Sequence, residues 1–179
     1  MKDRWRKTGS EVVYDARVFR VRRDSYEFGG APTHDFHVIE AGTWVNVVAV
    51  TPDGAVVLVR QFRHGIEEVS LEVPGGLVDG TDADPAAGAR RELLEETGYA
   101  GGPLRRIGSV TSNPAILNNR TESYLTQDAV PTADPAPDPN EELELVLVPK
   151  HEITGLVLRG EIHHSLSVCA LAAWLLEGA

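Results

Sequence analysis

Cysteine is nearly missing from these 179 residues: Cys169 stands alone, so no intrachain disulfide framework is available. Basic charge is also short, with 17 Lys and Arg against 27 Asp and Glu and a net charge of −10. Proteins that bind a nucleic-acid backbone carry a basic footprint, so nucleic acid is excluded as the main partner. No apolar run is long enough to span a bilayer. Met1-Lys2-Asp3-Arg4 leads into no apolar stretch of the signal-peptide kind. The expectation is a cytoplasmic protein, with no membrane association, that acts on a small molecule. Cys169 lies in Leu166-Ser167-Val168-Cys169-Ala170-Leu171-Ala172 and is expected as a buried structural thiol on an apolar helix.

What is present suffices for a globular fold. Apolar residues make up 42% of a chain long enough for a substantial core. Residues 11–28 alternate in pieces and read as two strands, Gly29-Gly30-Ala31-Pro32 as a turn, and Phe36 to Ile39 as a third strand. Val45 to Val50 is an almost continuous β-branched run, which predicts a strand buried on both faces. Pro52-Asp53-Gly54 turns it into a hairpin partner over Ala55 to Arg60. Further strands are predicted over Leu104–Thr111, Thr121–Leu125 and Leu143–Val148, and helices over Glu152–Arg159 and Leu166–Leu176. This mixture places the chain in the α+β class. Trp5, Trp44 and Trp174 are expected to pack, and Phe19 or Phe28 to offer a ring to a base. His163-His164 lacks partners at zinc spacing, so a helix-start or substrate-neighbour role is expected for it.

The chemistry concentrates in Arg91-Glu92-Leu93-Leu94-Glu95-Glu96-Thr97-Gly98-Tyr99. Asp84 supplies an N-cap oxygen, Pro85 the first helical position and Gly98 a C-cap. Ala86, Ala89, Leu93 and Thr97 form the predicted buried stripe, with Glu92 and Glu96 at its edge. At ~100° per residue Glu92 and Glu96 lie ~40° apart, with Glu95 ~60–100° from them. Like charges at i, i+4 repel by roughly 0.2–0.5 kcal/mol unless neutralised. Mg²⁺, a hard oxygen-seeking cation, would neutralise them, and such a loaded face points to phosphate chemistry. The competing reading is a solvated acidic face with Arg91 and Glu95 paired. Upstream, Val69, Leu71 and Val73 alternate as a strand that Pro74 stops, and Gly75-Gly76 reads as a loop that a ligand or metal can approach.

The stretch from Arg91 to Tyr99 resembles the second half of the Nudix hydrolase signature, Gly-x5-Glu-x7-Arg-Glu-U-x-Glu-Glu-x-Gly-U, where U is bulky and apolar. It matches every fixed position. The first half departs: Gly76 to Arg91 is 15 residues where the pattern has 14. Counting forward from Gly76 reaches Asp82, and counting back from Arg91 reaches Ala83, so one residue is inserted within Gly80-Thr81-Asp82-Ala83. Val57 to Arg63, with Arg60-Gln61-Phe62-Arg63 at its end, and Glu72-Val73-Pro74-Gly75-Gly76 are similar to the ADP-ribose and nucleoside-diphosphate-sugar pyrophosphatase branch.

The resemblance implies an α/β/α sandwich with a mixed central sheet. It also implies an N-terminal antiparallel β-region over residues 1–40, ahead of a hydrolase domain over 41–179. The expected metal ligands for Mg²⁺, or Mn²⁺, are Glu92, Glu95, Glu96 and the Gly75 carbonyl, with Arg91 orienting the carboxylates. The polar loop from Pro131 to Glu142, with four Pro among its twelve residues, cannot be helix or central strand. By resemblance it offers Glu141 or Glu142 as general base, with Glu144 and Glu95 as alternatives. Arg60, Arg63 and Arg120 are candidate phosphate clamps, and Glu72 and Phe19 candidate substrate contacts. A homodimer is implied, in which the N-terminal region of one subunit covers the partner's cleft. Implied products are a nucleoside monophosphate and a sugar phosphate. Rival substrates are GDP-mannose and other nucleotide sugars, dinucleoside polyphosphates, NADH and nucleoside triphosphates. A domain that binds ADP-ribose as a sensor, without turnover, is the alternative of a different class.

Overall fold

The computed structural model describes residues 4–137 and 141–177, which divide into two compact units. The first unit takes the described residues up to Gly42 together with Thr111–Arg120. Its sheet is antiparallel, in the order β1 (Trp5–Asp15), β2 (Arg20–Phe28), β3 (His34–Glu40). The strands run further than the alternation predicted, because ladder hydrogen bonds continue through the polar positions between Trp5↔Phe28 and Asp15↔Arg20. Asp24 is almost fully buried among them. It accepts from Arg22 at 2.7 Å and Ser10 at 2.6 Å and pairs with Lys7 at 2.8 Å. Burial alone would raise its pKa, but these partners hold it well below the usual carboxylate range. Residues 111–120 join this unit through Ile39, whose N–H donates to the Ile116 carbonyl at 2.7 Å.

The second unit is built on β4 (Trp44–Val50), β5 (Ala55–Arg63), β6 (Glu68–Glu72), β7 (Gly75–Leu77), β9 (Arg105–Val110), β10 (Thr121–Thr126) and β12 (Leu143–Pro149). β4 and β5 pair only beside their turn, at Ala49↔Val57 and Val50↔Val56, and then diverge. β4 goes on to pair with β7 and, in parallel, with β10; β5 goes on to pair with β6 and β12. The sheet is therefore mixed. The short β8 (Tyr99–Ala100) and β11 (Val130–Pro131) pair with each other.

Side-chain alternation along β4 divides the core. Val45, Val47 and Ala49 pack with Val57, Ala89 and Leu93 on the side of α1 (Pro85–Thr97). Val48 packs with Ile153, Leu156, Ala170, Leu171 and Trp174 on the side of α2 (Lys150–Leu158) and α3 (Ser165–Glu177). The α/β/α layering of this unit follows from that two-sided burial. No helix among the described residues is long and apolar enough to cross a membrane.

Three local expectations are corrected. Gly75–Leu77 is a short strand, because Val45 and Asn46 of β4 take Gly76 and Gly75 as ladder partners. Cys169 is exposed, because α3 turns Ser167, Ala170, Leu171 and Trp174 inward. Part of the proline-rich loop is tied down: Thr132 and Ala133 N–H groups donate to the Gly98 carbonyl and Ala136 N–H to the Glu95 carbonyl. Asp138, Pro139 and Asn140 of that loop lie outside the described residues.

Candidate active site

α1 begins as its sequence predicts. The Asp84 side chain accepts from the Ala87 N–H at 2.8 Å, satisfying one of the first-turn donors, and Pro85 follows. It ends at Gly98, whose φ of 73° is the left-handed conformation that glycine adopts without strain. A side chain at Gly98 would also meet the Ala133 carbonyl oxygen.

Between these caps Arg91 organises the acids. Its Nε and Nη2 donate to the two Asp82 oxygens at 3.2 and 3.1 Å, and Nη2 also donates to the Leu77 carbonyl at 3.0 Å. Its Nη1 donates to Glu95 at 2.9 Å and lies 3.0 Å from Glu92. Asp82 is thus the acid that clamps Arg91, despite the inserted residue. Its carboxylate also accepts from the Asp79 N–H, which tightens the loop enough to bring the shorter side chain into reach.

Glu96 departs most from expectation. It is 6% exposed, not placed at an open edge, and its carboxylate accepts from the Gly75 N–H at 2.8 Å. Burial, then the neighbouring charges of Glu92 and Glu141, push its pKa up to about 8, against the pull of that N–H and of Arg63. Burial likewise raises Glu92, against Arg91. The Glu92 carboxylate lies against Gly76, where a Cβ would sit 2.5 Å from its nearer oxygen. Gly76 therefore admits the Glu92 carboxylate to the strand, while Gly75 lets the strand lie close against Val45 and Asn46 of β4.

Among the described residues, no group of three or more His, Cys, Asp or Glu is gathered to hold a metal ion by side chains alone. Glu95, expected as a third ligand, has an oxygen on Arg91. The pair of buried Glu96 and partly buried Glu92 still fits a hard divalent cation. Their donors are oxygens with excess negative charge, and Mg²⁺ is commonly held by one or two carboxylates together with substrate phosphates.

The other expected site residues fall into place unevenly. Glu141 is exposed, yet its charge acts on Glu92, Glu96 and Arg63, which puts it in the electrostatic reach of the pair. Glu142 is exposed too. Glu144 pairs with Arg60 at 2.6 Å, which engages one candidate clamp. Arg63 makes a two-pronged contact with Glu72 at 2.8 and 2.7 Å. Glu72 is buried, so its carboxylate serves Arg63 and His164. Phe19 and Arg120 belong to the first unit, Phe19 beside Tyr14 at the β1–β2 turn. Asp82, His164 and Ser167 were not singled out as site residues. Asp82 had a sequence signal in the forward count from Gly76, and His164 had one as a helix start, since α3 begins at Ser165; Ser167 had none.

The NUDIX domain model matches residues 42–169, and the chain belongs to that family. It is a Nudix hydrolase. An ADP-ribose pyrophosphatase of Mycobacterium tuberculosis is 28% identical over 92% of this chain and 80% of its own length. An ADP-ribose pyrophosphatase of Bacillus subtilis is 25% identical over 90% and 87%. A solved structure titled an ADP compounds hydrolase covers 98% of this chain and 96% of its own, with a TM-score of 0.85 at 23% identity, which shows the shared fold.

Proposed function

We propose that the protein hydrolyses the pyrophosphate bond of ADP-ribose or a related nucleoside-diphosphate sugar, such as GDP-mannose, giving a nucleoside monophosphate and a sugar phosphate. The observation that carries this is the pair of carboxylates on α1, Glu96 buried and Glu92 partly buried, framed by Arg91 and facing Gly75-Gly76. The names of the two relatives support ADP-ribose as the first substrate to try.

Glu92 and Glu96 would hold Mg²⁺, or Mn²⁺ in its place, with the Gly75 carbonyl as a further donor. The bound cation supplies charge neutralisation at the phosphate oxygens. Arg91 fixes the rotamers of Glu92 and Glu95 and carries no chemistry itself. Arg63 presents positive charge beside the pair. Glu141, close enough to be felt by both carboxylates, accepts the proton of the attacking water. Residues 1–40 form the dimerisation and base-recognition region in this reading. Exposed Val12, Val13, Tyr14 and Val18 support an interaction role for it. The cytoplasm is the proposed location.

The test is a product-resolved screen of ADP-ribose, GDP-mannose, other nucleotide sugars, NADH and nucleoside triphosphates with Mg²⁺ and with chelator. AMP and ribose 5-phosphate from ADP-ribose, lost on chelation, is the expected result. Binding of ADP-ribose without any product would instead favour the sensor.

A further inference from the structure

Away from the α1 carboxylates, the protein buries a second polar cluster around Glu72, which shares only Arg63 with the proposed site. Glu72, at the end of β6, is 1% exposed. One of its oxygens accepts from Arg63 Nε at 2.8 Å. The other takes Arg63 Nη2 at 2.7 Å and lies 2.7 Å from His164 Nδ1. Burial would raise the Glu72 pKa, but the Arg63 and His164 hydrogen bonds outweigh it and hold it at about 2. The carboxylate is therefore ionised and can only accept, so His164 Nδ1 carries the proton. His164 immediately precedes α3, and its Nδ1 also lies 3.0 Å from Ser167 Oγ on that helix. Ser167 Oγ accepts from the Val73 N–H at 3.2 Å.

Successive residues are thus gripped in turn. Glu72 is held by Arg63 and His164, and Val73 by Ser167. The Pro74 carbonyl accepts from the Val47 N–H at 2.9 Å, and the Gly75 N–H donates to Glu96 at 2.8 Å. The last of these is the hydrogen bond that holds the Glu96 carboxylate. The segment leading to it is fixed from α3, by a histidine 68 residues further along the chain than Glu96.

We infer that His164 is a positioning residue for the cation-binding carboxylates: through Glu72, and with Ser167 on Val73, it sets the place of the Gly75 N–H and so the orientation of Glu96. This rests on the proposed role of Glu96 in holding a divalent cation. Outer partners that orient a ligand typically change metal affinity 10- to 100-fold when removed. His164→Asn keeps an N–H donor near the place of Nδ1. His164→Leu keeps bulk and removes the donor.

The experiment uses the full chain and two readouts. Mn²⁺ binding is titrated by electron paramagnetic resonance, and Gly75 amide exchange is followed by NMR in the absence of metal. The expected result for His164→Leu is a roughly tenfold rise in the Mn²⁺ dissociation constant and at least a tenfold faster Gly75 amide exchange, with circular dichroism unchanged. His164→Asn should recover both to within about threefold. If His164→Leu does not fold, Ser167→Ala reads the Val73 arm and should move both quantities in the same direction. Unchanged Mn²⁺ affinity and unchanged Gly75 exchange in a folded variant overturn the inference. A wild-type protein that binds no Mn²⁺ overturns the cation role of Glu96 instead. Gly75 exchange still decides whether His164 governs that amide.

Discussion

Glu72 and Glu96 are both glutamates shut away from water, and the chain treats them in opposite ways. Glu72 meets a guanidinium and an imidazole and is held ionised, at about 2. Glu96 meets one amide N–H, feels two other carboxylates, and is pushed up to about 8. A buried charge that is fully partnered ties elements together. One that is left underpartnered is destabilising until something from outside supplies the opposite charge. In the proposed reading, the difference separates a structural joint from a binding site, though residue type and burial are the same.

The largest expected effect breaks the open half of that comparison. Glu96→Gln should lower turnover by about 10³-fold or more, because a charged ligand contributes several kcal/mol to the transition state. Its melting temperature without metal should not fall, since the amide replaces a carboxyl that burial already holds largely uncharged at neutral pH. Steady-state kinetics at saturating Mg²⁺, alongside a thermal melt, check both halves. Glu141→Gln should lower turnover by about 10²–10⁴-fold while Mn²⁺ affinity stays near normal. Glu142→Gln and Glu144→Gln serve as its comparisons, and equal losses in all three would remove Glu141 as the base.

Glu72→Ala addresses the closed half. It leaves Arg63 without its buried partner and should cost about 3 kcal/mol of stability, read by urea denaturation. The pH dependence sharpens the contrast. Glu72 lies below its ordinary value, so its contribution is complete above pH ~4.5 and lost as pH falls toward 2. The loss should be on the order of 2–3 kcal/mol, and Glu72→Gln should flatten the curve in this range. The smallest effect is expected for Asp82→Ala. Arg91 keeps its carboxylates but loses its own anchor, and kcat/KM should fall about 10- to 100-fold. An unchanged kcat/KM would mean that the Leu77 carbonyl alone suffices to hold Arg91.

Much of this was legible in the sequence because it is local. The limits of α1 follow from Asp84, Pro85 and Gly98, and the two-sided burial of β4 from an almost continuous apolar run broken only by Asn46. What was hidden depends on contacts between distant segments. Glu72 could not announce His164, because 92 residues separate them. Arg63 looked free to meet phosphate, but its guanidinium reaches Glu72, four positions along β6 from its ladder partner Glu68. The glycine pair read as a loop because two residues without side chains carry no alternation, and only β4 shows it to be a strand. Cys169 was misplaced because α3 is apolar on more than its buried face, so its sequence does not say which side turns inward.

The loop that carries Glu141 ends on the sheet at Leu143, whose partner is Gln61 of β5. Covalent geometry allows at most ~3.6 Å of reach per residue, so the Cα of Glu141 stays within ~7 Å of that anchor. On the other side, Ala136 is tied to the Glu95 carbonyl of the helix that bears the acids. Glu141 is therefore on a leash with both ends fastened to the same unit. Its local concentration near the carboxylate pair is set by chain length, and each residue inserted between Glu141 and Leu143 would dilute it.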